Sequence, residues 1–164
     1  MAQWSKPHLL KKLLVVTRQT GGKNGTKRHL LVDERGVPLS IVVTGANRHD
    51  VSQLAAVLDA IVIERPNTVQ HLCADKGYSG EPAQQAIKDR RYIPHVKQRG
   101  EEIQEKKINP TYKARRYVVE VAHSWFNRFR KLLVRFEKLA ERHEALLHMA
   151  AAIIAFRKAG LIYE

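Results

Sequence analysis

The chain has 164 residues, 44% of them hydrophobic, enough to bury one domain-sized core. With 29 Lys+Arg against 16 Asp+Glu, its formal charge is +13, which favours a polyanionic partner: nucleic acid first, an anionic membrane surface second. A single cysteine, Cys73, excludes an internal disulfide and a Cys-rich zinc site and fits a reducing cytosol.

The charge is uneven. Residues 88–142 carry 16 basic and 7 acidic side chains, residues 1–87 carry 11 and 7, and the last 22 balance at 2 and 2. Leu9-Leu10 and Leu13 to Val16 are split by Lys11-Lys12 and are too short for the apolar region of a signal peptide. The apolar run Ala145 to Phe156 falls short of the roughly 18 residues needed to span a bilayer and reads as a buried helix, so no membrane partner is expected.

Residues 1–21 are an N-terminal segment of uncertain structure: a short apolar piece, Leu9 to Thr17, leads into the loop-like GGKNGTKR. His29–Asp33 and Val37–Thr44 are β-rich runs joined by Glu34-Arg35-Gly36, a hairpin with glycine at its turn. Asp50 reads as the N-cap of a helix Val51–Ile61 whose inner face carries Leu54, Val57, Leu58 and Ile61. Val69–Ala74 is a short apolar strand ending at Asp75, after which a loop and Pro82 open a helix to about Arg90. Tyr92–Val96 is a strand, and the charged, aperiodic residues 97–113 read as a solvated loop. Ala114–Lys138 reads as one long helix with Val118, Ala122, Trp125, Phe129, Leu132 and Phe136 on its apolar face. Arg116, Glu120, His123, Asn127 and Lys131 lie opposite, and a buried helix Glu144–Lys158 closes the fold. That order predicts an α/β layer fold with a mixed sheet.

Ligands in such folds gather beyond the carboxyl ends of strands, where Asp75 stands. Glu120 is a lone acid among cations on a helix that must pack on the same sheet. Two carboxylates without Cys partners suit a hard cation such as Mg²⁺ or Mn²⁺, and in a basic chain the matching substrate is a phosphodiester. Two metal ions about 4 Å apart would activate the attacking oxygen and stabilise the leaving one. The plainer readings stand beside this one: a strand-end Asp is often a turn residue, and a helix Glu is most often solvated.

The stretches HLLVDERGVPLSIVVTGANRHD, HLCADKGYSG, ARRYVVEVAHSWFNRFRKL and HEALLHMAAAIIAF together resemble a bacterial insertion-sequence transposase of the DDE superfamily. The resemblance implies an RNase H-like catalytic domain, here residues 22–158 with a tail at 159–164, and a metal-dependent cleavage and strand-transfer activity in DNA transposition. It implies Asp75 as the second metal ligand and Glu120 as the third, 45 residues later. It makes Arg116 the phosphate-contacting arginine of a Tyr–Arg–Glu–Lys signature whose tyrosine position falls on Lys113, beside Tyr112, and whose lysine position falls on Asn127. Lys76, Arg116, Arg128, Arg130 and Lys131 are the expected DNA contacts.

The first acid is missing. Residues 1–22 contain no Asp or Glu, Asp33 sits at the hairpin turn, and Asp50 reads as a structural cap. The fold is therefore expected to lack its first strand, and the chain to be a partial or split transposase, with an upstream reading frame supplying the first Asp. The other readings are a catalytically inactive DNA-binding remnant or regulator of the intact enzyme, and a stand-alone nuclease. The implied partners are DNA (element ends and target) with a homodimer left open, and the implied place is the bacterial cytoplasm, at the nucleoid when bound to DNA. His49, His71, His95, His123, His143 and His148 form no convincing ligand pair in sequence and are expected to be satisfied or solvated. Trp125 and Phe129 read as core rather than as base-stacking platforms, and Phe126, off the apolar face, is left undecided.

Overall fold

A computed structural model describes residues 13–20, 25–96 and 117–160. Five strands form one mixed sheet in the order β3-β2-β1-β4-β5: β1 (Leu13–Thr20), β2 (Thr26–Val32), β3 (Pro38–Gly45), β4 (Gln70–Ala74) and β5 (Tyr92–His95). β1, β2 and β3 run antiparallel in turn, whereas β4 is parallel to β1 and to β5. This is the sheet an RNase H-like fold requires, and Pro94 lies, as proline must, on an edge strand.

The first strand is present, which corrects the expectation that the fold lacks it. Leu13–Thr20 is the middle strand, paired antiparallel to β2 on one side and parallel to β4 on the other. Its run LLVVTRQT has neither an alternating pattern nor a turn signal on its N-terminal side. What makes it a strand is hydrogen bonding to segments far away in sequence, which local periodicity does not register.

The β2–β3 hairpin matches its expectation. The buried Asp33 carboxylate accepts hydrogen bonds from the backbone N–H groups of Arg35 (2.9 Å) and Val37 (2.8 Å), and Gly36 supplies a φ of +82°. Burial pushes the Asp33 carboxyl up, against the pull of those two backbone donors. A register shift between Leu31 and Val32 turns Leu39 and Ser40 toward the same helix, where Ser40 Oγ donates to the Val57 carbonyl at 2.6 Å.

Helices cover both faces. A 3₁₀ turn (Val51–Gln53) leads into α1 (Leu54–Asp59), which with α2 (Glu81–Asp89) covers one face around Leu31, Leu54, Leu72 and Ile87. Gly80, at φ +108°, turns the chain into α2, and Arg90 clamps Asp59 through two hydrogen bonds of 2.7 and 2.6 Å, joining α1 to α2. The other face is covered by α3 (Tyr117–Asn127), α4 (Arg130–Leu133) and α5 (Ala140–Lys158), packed on Leu30, Val32 and Ile41.

The single helix expected over 114–138 is two. Hydrogen bonds from the Arg128 and Phe129 N–H groups to the carbonyls three residues back tighten the last turn of α3, and Phe129 is extended at ψ 107°. On a continuous helix Phe126 and Leu132 would point about 120° apart. The break buries both in one core and leaves Phe136 exposed. Along α5 only the stripe His143, Leu147, Ala150 and Ile154 is buried, so the helix is amphipathic rather than buried all round. Among the described residues no helix is long and apolar enough to cross a membrane.

Candidate active site

Asp75 directly follows β4, half-buried, and its carbonyl accepts the Tyr78 N–H at 2.8 Å to close a 3₁₀ turn, Lys76–Tyr78. That turn rests on buried polar groups from the sheet's opposite half. The Tyr78 hydroxyl lies 2.7 Å from His29 Nδ1, whose Nε2 meets Thr44 Oγ1 at 3.0 Å, and both His29 and Tyr78 are fully buried. Beside them Lys27 Nζ pairs with Asp50 Oδ1 at 3.3 Å and donates to the Arg48 carbonyl at 2.6 Å. Asp50 in turn lies against Gly77: a Cβ on residue 77 would sit 2.8 Å from Asp50 Oδ2, so only glycine fits without a shift.

Asp50 therefore has a structural role, but not the one expected. Its side chain makes no cap hydrogen bond to the turn that follows it. Instead it joins the β2 lysine to the turn after β4. Periodicity offers no sign of this, because Lys27, His29, Asp50 and Tyr78 are brought together by the fold over separations of 23 and 49 residues. The local signal that was available is the Gly-Tyr following Asp75 and the alternation of Lys27 with His29 on one face of β2.

Glu120 lies in the first turn of α3, exposed. α3 packs on β1 and β2, and α5 packs on β3. Trp125 occupies the flank of α3 facing α5, with Lys158 Nζ 4.1 Å above its ring. By helical spacing Glu120 falls about 140° around α3 from Trp125, away from that flank.

The register explains the missing acid. Val16 of β1 pairs with Ala74 of β4, and the next β1 residue, Thr17, pairs with Leu30 of β2. The β1 position level with Asp75 is therefore Thr17. The strand LLVVTRQT carries no carboxylate at any position. The fold has its central strand, and that strand has no acid.

One turn from Glu120, His123 is buried at 7% exposure, and among the described residues neither ring nitrogen has a hydrogen-bond partner. Burial, reinforced by the nearby Arg28 charge, pushes its pKa down to about 4, so it is neutral at physiological pH. This corrects the expectation of a satisfied or solvated histidine. Burial also lowers the Arg28 guanidinium, which donates to the Asn127 carboxamide at 2.9 Å and so ties the expected lysine position of the signature to the sheet. His71 and His95 satisfy each other, in line with the expectation of satisfied histidines: their rings stack across β4 and β5 with Nδ1 to Nε2 at 2.7 Å.

Arg128, Arg130 and Lys131 are exposed together at the junction of α3 and α4. Lys76 belongs to the turn after Asp75, whereas Arg116, Tyr112 and Lys113 lie outside the described residues. Phe126 is core, while Trp125 and Phe129 are half-buried at its edge. As for a divalent cation, carboxylate donors of the right kind stand at Asp75 and Glu120, but among the described residues no three His, Cys, Asp or Glu side chains cluster as a metal site.

Residues 12–155 match the transposase DDE domain family. The chain is 35% identical over 141 residues to a protein assigned as the transposase for insertion sequence element IS402 of Burkholderia cepacia, covering 80% of this chain and 63% of that one. It thus spans a little under two thirds of that relative's length. Among solved structures it is similar to the catalytic core domain of BIV integrase (15% identity, 71% of this chain and 66% of that one, TM-score 0.46). It is also similar to the HTLV-2 integrase catalytic core domain in complex with magnesium (14% identity, 74% and 88%, TM-score 0.42). With its family matched over residues 12–155, from β1 into the last helix, the chain belongs to the DDE transposases.

Proposed function

We propose that this chain is the greater part of an insertion-sequence transposase's catalytic domain, running from β1 to α5 rather than starting at residue 22, and acting in DNA transposition at element ends and target DNA in the bacterial cytoplasm. Asp75 and Glu120 supply two of the three carboxylates that hold Mg²⁺ or Mn²⁺, and Arg116 contacts phosphate beside them. The metal would supply activation of the attacking oxygen and stabilisation of the leaving one. Lys76, Arg128, Arg130 and Lys131 hold the DNA backbone, consistent with the excess of 16 basic over 7 acidic residues in 88–142. The observation that carries this reading is the place of Asp75, at the carboxyl end of β4 on a turn held by buried Lys27–Asp50 and His29–Tyr78 pairs.

Because β1 lacks an acid, the first carboxylate has to come from elsewhere, such as the product of an upstream frame. The same observation favours a second reading, a DNA-binding remnant or regulator of the intact enzyme. A strand-cleavage assay with labelled element ends and Mn²⁺ separates them. The first reading predicts cleavage only when a fragment carrying the missing acid is added, and its loss in Asp75→Asn and Glu120→Gln. DNA binding without cleavage under every condition would leave the second.

A further inference from the structure

A cavity of about 580 Å³ opens where the C-terminal ends of α3 and α5 meet, lined by Trp125, Arg128, Phe129, Ile154, Arg157 and Lys158. Two aromatic side chains and an isoleucine line it, with three exposed cations, one from the turn after α3 and two from the end of α5. Among the described residues no ion pair is recorded for any of the three. Arg157 and Lys158 also complement the α5 dipole as last-turn bases, but that accounts neither for Arg128 in the turn after α3 nor for the aromatic wall. Lys158 Nζ lies 4.1 Å from the centre of the Trp125 ring, so one face of that indole meets a cation and not core. The ring is held in place from the hairpin side, where a Cβ on Gly36 would come within 3.3 Å of it.

We infer that this cavity takes one unpaired nucleotide of a DNA strand, its base stacked against Trp125 and Phe129 and its phosphates held by Arg128, Arg157 and Lys158. The volume falls in the range of small-ligand sites, and an aromatic wall with a cationic rim is the combination by which proteins hold unpaired nucleotides. A paired duplex offers phosphates to the rim but no base face to the wall. Lys158 would move off the indole onto phosphate as the base enters. The inference rests on the reading of the chain as a DNA-acting protein and names a contact that reading does not contain.

The test is fluorescence anisotropy of the purified chain with three labelled oligonucleotides: a blunt duplex, the same duplex with one unpaired terminal nucleotide, and that duplex with the unpaired position abasic. The unpaired nucleotide is expected to tighten binding about tenfold, and the abasic residue to remove the gain. The surface double variant Arg157→Gln/Lys158→Met should abolish the preference while weakening blunt-duplex binding only a few-fold. Trp125→Leu should abolish it and Trp125→Phe keep most of it, with thermal melting reporting that each is folded. A wild-type chain that binds blunt duplex without preference, or a folded double variant that keeps it, overturns the cavity assignment. Failure to bind any of the three overturns the DNA-acting reading itself, and the inference with it.

Discussion

The two arms of the candidate site are built to different standards. On the β4 arm, Asp75 starts a turn held by several buried contacts: Gly77 against Asp50, Asp50 on Lys27, Tyr78 on His29. On the β1 arm the strand is in place and correctly paired, yet the position level with Asp75 is Thr17. A fold can retain the full scaffold of a metal site without the ligand that site needs. Scaffold is held by packing and hydrogen bonds distributed over many residues, whereas a ligand is one side chain.

The sharpest way to break the β4 arm is Lys27→Met, which removes the cation paired with the buried Asp50 carboxylate at 3.3 Å and is expected to cost on the order of 3 kcal/mol in denaturant unfolding. Adding Asp50→Leu should recover part of that loss, since the buried carboxylate is then removed together with its cation. Gly77→Val attacks the same place sterically, and loss of divalent-metal binding greater than its loss of stability would mark it as a disturbance of Asp75 itself. If Lys27→Met melts like the wild type, the supporting role assigned to the pair is wrong.

On the α3 side, His123 provides the next largest effect. Its folded pKa of about 4 lies below the ordinary value of 6.5, so between those values the unfolded chain binds the extra proton and stability falls as pH falls. The loss from pH 7 to pH 4 is on the order of 3 kcal/mol. His123→Phe should flatten that dependence while leaving unfolding at neutral pH little changed, a comparison that pH-dependent chemical denaturation reads directly.

Smaller effects probe the frame. Gly36→Ala places a side chain at φ +82° beside Trp125 and is expected to cost about 1–2 kcal/mol. Asp59→Asn removes the exposed clamp to Arg90, whose hydrogen bonds hold the Asp59 carboxyl below its usual range, and should cost no more than about 1 kcal/mol.

Most of the layer order was legible in the amino-acid sequence, because the hairpin, α1, β4, α2 and β5 each carry a local signal: alternation, a turn glycine, an N-terminal proline. Asp75 was legible for the same reason, as the acid ending an apolar strand. β1 was not, since its identity as a strand depends on partners on both sides. Nor was the break after Asn127, where no Gly or Pro marks it and only the burial of both Phe126 and Leu132 explains it. The Lys27–Asp50 and His29–Tyr78 pairs and the His71–His95 contact join residues distant in sequence, which a single chain without its fold cannot pair.

The central claim, a metal site complete in scaffold and short of one carboxylate on β1, is tested most directly by Mn²⁺ titration calorimetry of the wild type and of Thr17→Asp. A carboxylate restored level with Asp75 should tighten Mn²⁺ binding about tenfold or more, and that gain should vanish when Asp75→Asn is added. A folded Thr17→Asp chain that binds Mn²⁺ no better than the wild type would contradict the account.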